Sequence, residues 1–201
     1  EEHLHQQLPE RSWNRTEPIL QAIEEQTLIP ADQLKAHFWD MFIVDALLGI
    51  FDRHNGNWGV LVDEERQTAE IAPIYDCGSC LYPQLGIQEM RAVLNDESEI
   101  NKRIYEYPTS AIMDGGAKIS YPRFIASLQN EDCNQAMERI YARIDMARIE
   151  TLIQQTPGLL PIQREFYGIM LQARKEQILD CGMERLLEVR EQQPDGPVFH
   201  M

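Results

Sequence analysis

The sequence predicts a mainly α-helical domain with a small β-hairpin near its functional face. Three observations lead there. Apolar residues recur at helical spacing in the segments around Ile19–Ile23 and Leu34–Leu48, and throughout the chain after Ser120. Strand formers run from Trp58 to Val62 and return from Ala69 to Tyr75, around a polar turn at residues 63–67. The 201 residues, 43% apolar and 25% charged, are enough to bury a core and exclude wholesale disorder.

The elements follow in order. Residues 1–31 read as a lead-in and first helix: 1–15 are polar, then Thr16, Glu17 and Pro18 open a helix with Ile19, Leu20 and Ile23 on one face. Pro30 ends it. Asp32 is the expected cap of a second helix, on which Leu34, Phe38, Met41, Phe42 and Leu48 share a stripe. Trp39, Ile43, Val44 and Leu47 fill much of the remaining circumference, so burial nearly all round is expected, with Gly49 at the end. The polar cluster Asp52-Arg53-His54-Asn55-Gly56-Asn57 follows at once, and polar loops on rigid scaffolds commonly carry function. The hairpin then delivers the chain to Asp76-Cys77-Gly78.

Residues 79–118 lack clear periodicity and read as a long loop with short helical pieces. From 119 to 193 a helical bundle is expected. Ser120 is a helix cap with Pro122 behind it, Asp132 and Asp145 start further helices, Pro157-Gly158 is a break, and Pro161 opens a longer helix that Met183 to Arg190 continues or follows. Residues 194–201 form a tail. The domain organisation is thus a lead-in (1–31), a chemistry-bearing region (32–118), a helical bundle of the same unit (119–193) and the tail.

Charge excludes some functions. With 33 acids against 18 bases the net charge is −15, and residues 1–120 carry most of the excess. Gripping a nucleic-acid backbone requires Lys and Arg on a common face, so no direct nucleic-acid partner is expected. No apolar run approaches a membrane span, and no basic-then-apolar leader opens the chain; a cytoplasmic protein without membrane contact is expected.

The loop and the hairpin bring chemistry together. Asp52 and Asn57 share one tight loop, and an antiparallel hairpin that begins there returns Asp76 beside Asn57. A carboxylate and an amide oxygen converging this way suit a hard cation such as Mg²⁺, with Asp52 left to face a hydroxyl. This is the layout of phosphoryl transfer from a nucleotide. Each residue taken alone reads as a turn former rather than a functional group; the joint spacing reverses that and favours chemistry.

Asp52-x4-Asn57 followed by Asp76-Cys77-Gly78 resembles the catalytic loop and Asp-Phe-Gly motif of the protein-kinase superfamily. The string Leu47-Leu-Gly-Ile-Phe-Asp-Arg-His-Asn-Gly-Asn-Trp-Gly59, with Ala72-Pro-Ile-Tyr-Asp76, is similar to the HipA-like serine/threonine kinases known from toxin–antitoxin pairs. Asp-Arg-His-x-x-Asn also resembles the catalytic loop of phosphoinositide kinases. Residues 38–82 carry the match. The resemblance implies a kinase-like C-terminal lobe using ATP and Mg²⁺ on a protein substrate. It implies Asp52 as catalytic base or hydroxyl-orienting residue, Asn57 and Asp76 as Mg²⁺ ligands that hold the nucleotide phosphates, and His54 as an aid to the transferring phosphoryl group. Arg53 is expected to pair with a nearby acid, and a buried Asp45 to brace the loop through its backbone amides.

One departure stands out. Such kinases carry a nucleotide-covering loop and a strand lysine before the catalytic loop. The 51 residues before Asp52 hold a single lysine, Lys35, in an expected helix, and no Gly-rich turn. Asp114-Gly-Gly-Ala-Lys118 lacks the spacing and order of a phosphate loop. The chain, which also lacks an initiator Met, therefore reads as a catalytic lobe whose N-terminal lobe is missing or supplied by another chain. The alternatives are a non-catalytic kinase-like module that binds an antitoxin-type partner, or a lipid or small-molecule kinase.

Cys77-Gly-Ser-Cys80 is the rival signal, since a C-x-x-C turn serves as a redox dithiol or half a zinc site. No second C-x-x-C exists, and the helical chain after 120 does not alternate with strands as a thioredoxin-type domain does. The simpler role for Cys77 is an inward-packed residue of the Asp-x-Gly loop. His3 and His5 read as a surface tail before a metal pair. Ser98, Thr109 and Ser110 fall where an activation segment would lie and are equally ordinary loop polarity.

Overall fold

The structure is a computed structural model and describes residues 15–192. His3, His5 and the 194–201 tail lie outside the described residues. The chain folds as nine α-helices and two small antiparallel hairpins among those residues, in agreement with the mainly helical expectation.

Helix α1 (Thr16–Glu25) is followed by α2 (Ala31–Leu48), the axis of the fold. Leu34, Phe38, Met41, Phe42, Ile43 and Ala46 are fully buried on α2, because α1, α6 and α8 pack around it. Each such large side chain removed from water contributes about 1.5–3 kcal/mol. Asp32 sits in the first turn of α2, while Pro30 occupies the cap position without a side-chain cap. The connection is closed instead by buried Gln26. Its amide donates to the Ile23 and Ile29 carbonyls and accepts from the Leu28 and Ile29 amides. Gly49 ends α2 in the left-handed region, φ 67°, where a side chain would be strained.

Strands β1 (Val60–Asp63) and β2 (Thr68–Ile71) form the expected hairpin, with Val60 opposite Ile71 and Asp63 opposite Thr68. Pairing ends at Ile71, earlier than the apolar pattern suggests, and residues 72–77 run on without ladder partners. The segment read as a long loop is more regular than expected. It holds α3 (Ile87–Leu94), α4 (Glu97–Tyr105) and a second hairpin, β3 (Met113–Asp114) with β4 (Ala117–Lys118). Both helices are shorter than the length at which isolated helices become stable in water. They stand because Met90 and Val93 join Tyr82, Phe166 and Met170 in a second apolar cluster, and Ile104 enters the main one.

The remaining helices match the expected order: α5 (Tyr121–Ser127), α6 (Glu131–Tyr141), α7 (Met146–Gln155) and α8 (Pro161–Arg174). A π-helical turn, Lys175–Asp180, joins α8 to α9 (Cys181–Gln192). Asp145 caps α7 as expected, through the Arg148 amide. Asn130 caps α6 in place of the expected Asp132, and Ser120 precedes α5 with its buried hydroxyl unbonded. Among the described residues no helix is long and apolar enough to cross a membrane.

Candidate active site

The end of α2, the loop 50–57 and the residues after β2 meet around one buried side chain, Arg53. Its guanidinium is 1% exposed and binds on three sides. Nε and Nη2 donate to the two carboxylate oxygens of Asp45 at 3.0 and 3.1 Å. Nη1 donates to the Asn57 carbonyl at 2.8 Å and to the Tyr75 carbonyl at 2.6 Å. Nη2 also reaches Cys77 Sγ at 3.6 Å. The loop bearing Asp52, His54 and Asn57 and the segment bearing Asp76 are thus tied to one charge. The expectation that Asp45 braces the loop is corrected in detail: it acts through the Arg53 guanidinium, because a bidentate carboxylate–guanidinium pair saturates both groups inside the protein. Burial pushes the Asp45 carboxyl up to about 6 against the pull of Arg53, and Asp45 in turn raises Arg53.

Further bonds fix the loops. The Tyr75 hydroxyl donates to the Gly56 carbonyl at 3.0 Å, and the Asp52 amide donates to Ser79 Oγ at 3.3 Å. Tyr121 donates to the Ile50 carbonyl at 2.7 Å, holding the start of the loop, and Trp58 packs on Phe38 at 5.4 Å between ring centres. Tyr75, Ser79 and Tyr121 were not singled out as site supports. Their partners lie 19 to 71 residues away, and no local pattern marks them.

The four candidate residues differ in setting. Asp52 and Asp76 are exposed, and neither carboxylate has an ion pair or hydrogen bond among the described residues. Asp76 holds a left-handed backbone, φ 52°. Asn57 is buried; its amide nitrogen donates to the Asp52 carbonyl at 2.7 Å, which turns its Oδ1 away as an unused acceptor among the described residues. His54 is half-buried, and its Nδ1 accepts from the Gly56 amide at 3.0 Å, so the neutral ring carries its proton on Nε2. A Cβ at Gly56 would lie 2.9 Å from the His54 ring and would displace it.

Among the described residues no group of three His, Cys, Asp or Glu side chains is arranged to hold a metal. A two-ligand site of one amide and one carboxylate does fit what is present. Asn57 offers a fixed oxygen, Asp76 a carboxylate unpaired among the described residues, and Arg53 binds the carbonyl of Asn57 and the carbonyl just before Asp76. Hard cations of this kind take the rest of their ligands from water and phosphate.

Beside the loop lies a concavity of about 550 Å³, lined by Gly56, Gly59, Val60, Leu61, Ala72, Pro73 and Tyr75. Another concavity, about 740 Å³, lies between α2, α6 and α7, with Ile74 at its edge; it contains none of the four candidates.

Comparison with known proteins places these observations. The chain matches no protein-family model. It is 46% identical over 172 residues to the serine/threonine-protein kinase CtkA of Helicobacter pylori, an alignment that covers 85% of this chain and 53% of that protein. The crystal structure of a Helicobacter pylori proinflammatory kinase CtkA matches with a TM-score of 0.87 at 44% identity, over 89% of this chain and 66% of the solved one. The chain therefore spans about half the length of the curated relative it matches.

Proposed function

We propose that this chain, a homologue of the HipA-like serine/threonine kinase CtkA over most of its length, is a catalytic lobe that transfers the γ-phosphate of Mg·ATP to a protein hydroxyl. The observation that carries the proposal is that the loop bearing Asp52 and Asn57 and the segment bearing Asp76 are tied to one buried guanidinium, Arg53. Residues 32–118 supply the chemistry, and the bundle 119–193 supports it.

Asp52, exposed and unpaired, accepts the proton of the attacking hydroxyl as its oxygen bonds to the γ-phosphorus and the bond to the departing diphosphate breaks. Asn57 Oδ1 and the Asp76 carboxylate hold the cation. Mg²⁺, when bound, neutralises the charge on the phosphate oxygens. His54 presents Nε2–H to the phosphoryl oxygens. The concavity at Gly59 and Ala72 lies next to these loops and is the surface on which the nucleotide base rests. A second lobe closes over the nucleotide, because nothing in residues 15–51 provides a phosphate-covering loop.

The test is phosphate incorporation, read by intact mass after incubation of the full-length protein with Mg·ATP, beside Asp52→Ala and Asp76→Ala. Loss of about 10²–10⁴-fold is expected for Asp52→Ala. Full phosphotransfer in both variants would overturn the assignment. Transfer to small or lipid hydroxyls without protein phosphorylation would redirect it, and absence of nucleotide binding would leave a partner-binding module.

A further inference from the structure

The C-x-x-C turn that follows Asp76 contacts Arg53 and the Asp52 backbone. Cys77 and Cys80 are free and half-buried. The Cys80 amide donates to the Cys77 carbonyl at 3.1 Å, closing a four-residue turn. Such a turn holds its end Cα atoms within about 7 Å, inside the span a disulfide needs. Cys77 Sγ takes the Arg53 hydrogen bond, Ser79 Oγ takes the Asp52 amide, and the Leu81 amide binds the Leu48 carbonyl at the end of α2. The backbone around the turn is strained. Asp76, Leu81 and Tyr82 all lie in the left-handed region, φ 52°, 54° and 59°, which L side chains rarely adopt.

We infer that Cys77 and Cys80 form a reversible disulfide that switches off the phosphotransfer site, a regulation that rests on the function proposed above. The co-reactant is a low-molecular-weight disulfide such as oxidised glutathione. One cysteine thiolate attacks it, forming a mixed disulfide and expelling one thiolate. The second cysteine thiolate then attacks the protein sulfur and expels the other. The protein loses two electrons and two protons, and one small disulfide becomes two thiols. To reach Cys80, the Cys77 sulfur leaves Arg53, and the Cys77–Cys80 turn must repack against the Asp52 amide. Asp52 loses the contact that Ser79 makes to its amide, and Arg53 loses one of the acceptors around which the loop bearing Asp52 and Asn57 is held. Disturbance of such supporting contacts commonly lowers metal affinity or activity by about 10- to 100-fold.

The other two cysteines are internal controls. Cys133 is buried and Cys181 is exposed on α9, far along the chain from both. The test equilibrates the full-length protein with a reduced/oxidised glutathione couple, blocks free thiols, and maps peptides by mass, for the parent and Cys80→Ser. Hydrogen exchange is then read at residues 50–59. The expected result is a disulfide confined to the 77–80 peptide and about fivefold to tenfold faster exchange of the Asp52 amide in the oxidised parent. The change reverses with dithiothreitol and is absent from Cys80→Ser. Failure of the disulfide to form, or its formation with unchanged exchange at 50–59, overturns the inference. Both readouts are independent of phosphate transfer, so either outcome leaves the kinase proposal standing or falling on its own test.

Discussion

Of the three buried arginines among the described residues, Arg53, Arg103 and Arg174, the first and last are 1% exposed or less and are satisfied in different ways. Arg53 has a carboxylate partner, Asp45, and spends its remaining donors on the two loops of the candidate site. Arg174 has no acid beside it among the described residues. Its Nε and Nη2 donate to the Ala46 carbonyl at 2.9 and 2.7 Å, and Nη1 donates to the Arg103 carbonyl at 2.7 Å and the Tyr82 hydroxyl at 3.3 Å. Ala46 and Arg103 lie in the last turns of α2 and α4, where carbonyls lack helical partners and the helix dipoles are negative. One buried charge is therefore matched by a titratable group and built into the functional loops. The other is matched by two helix-end carbonyls and a tyrosine hydroxyl, with no carboxylate, and it fastens helices. The difference teaches that burial of an arginine by itself marks neither function nor a salt bridge; its partners decide.

The largest effect that would break this comparison comes from Arg53→Met. Removing the guanidinium strands a buried carboxylate and frees two loop carbonyls, so a loss of about 3–5 kcal/mol is expected in urea unfolding. Phosphotransfer by the full-length protein should fall with it. Arg174→Lys comes next. A lysine lacks the planar fork and leaves at least one helix-end carbonyl unsatisfied, for about 2 kcal/mol of stability. Phosphotransfer measured well below the melting temperature should stay within about twofold, since Arg174 touches neither loop. Equal losses of activity in the two variants would erase the distinction.

The smallest effect sharpens it by pH. The Asp45 carboxyl is raised to about 6 in the fold from an unfolded value of 3.8. The folded state therefore binds the proton more tightly, and stability from this group is present at low pH and lost as pH rises through about 6. His37 works in the opposite direction, because burial lowers its pKa. Comparing the parent with Asp45→Asn subtracts that contribution. From pH 7 to pH 5 the parent should gain about 1 kcal/mol relative to the variant, measured by urea unfolding at each pH. The stability difference between parent and Arg174→Lys should not move over the same range.

Much of the fold was legible locally. The all-round apolar surface of α2, its glycine stop, the polar loop and the first hairpin follow from short-range pattern, and the structure reproduces them. The return of the hairpin to its starting loop was legible for the same reason, and the Tyr75 hydroxyl does bind the Gly56 carbonyl. Helices α3 and α4 were not. Residues 87–105 place their apolar positions in two short runs, and it is the faces of α8 and the main core that make those positions count. The caps at Asn130 and Pro30 also departed from expectation, since neighbouring polar residues compete for a cap and packing selects among them.

By itself, the sequence determined that Asp52, Asn57 and Asp76 would stand on two loops joined by a hairpin behind a buried helix. That follows from turn chemistry, strand alternation and helical periodicity, which act over a few residues. What only the tertiary structure decided is how the buried charges are satisfied. Arg53 meets the Tyr75 carbonyl across 22 residues, and Arg174 meets the Ala46 carbonyl across 128. A desolvated guanidinium must find acceptors wherever the packed helices leave them, and those positions exist only once the chain has folded.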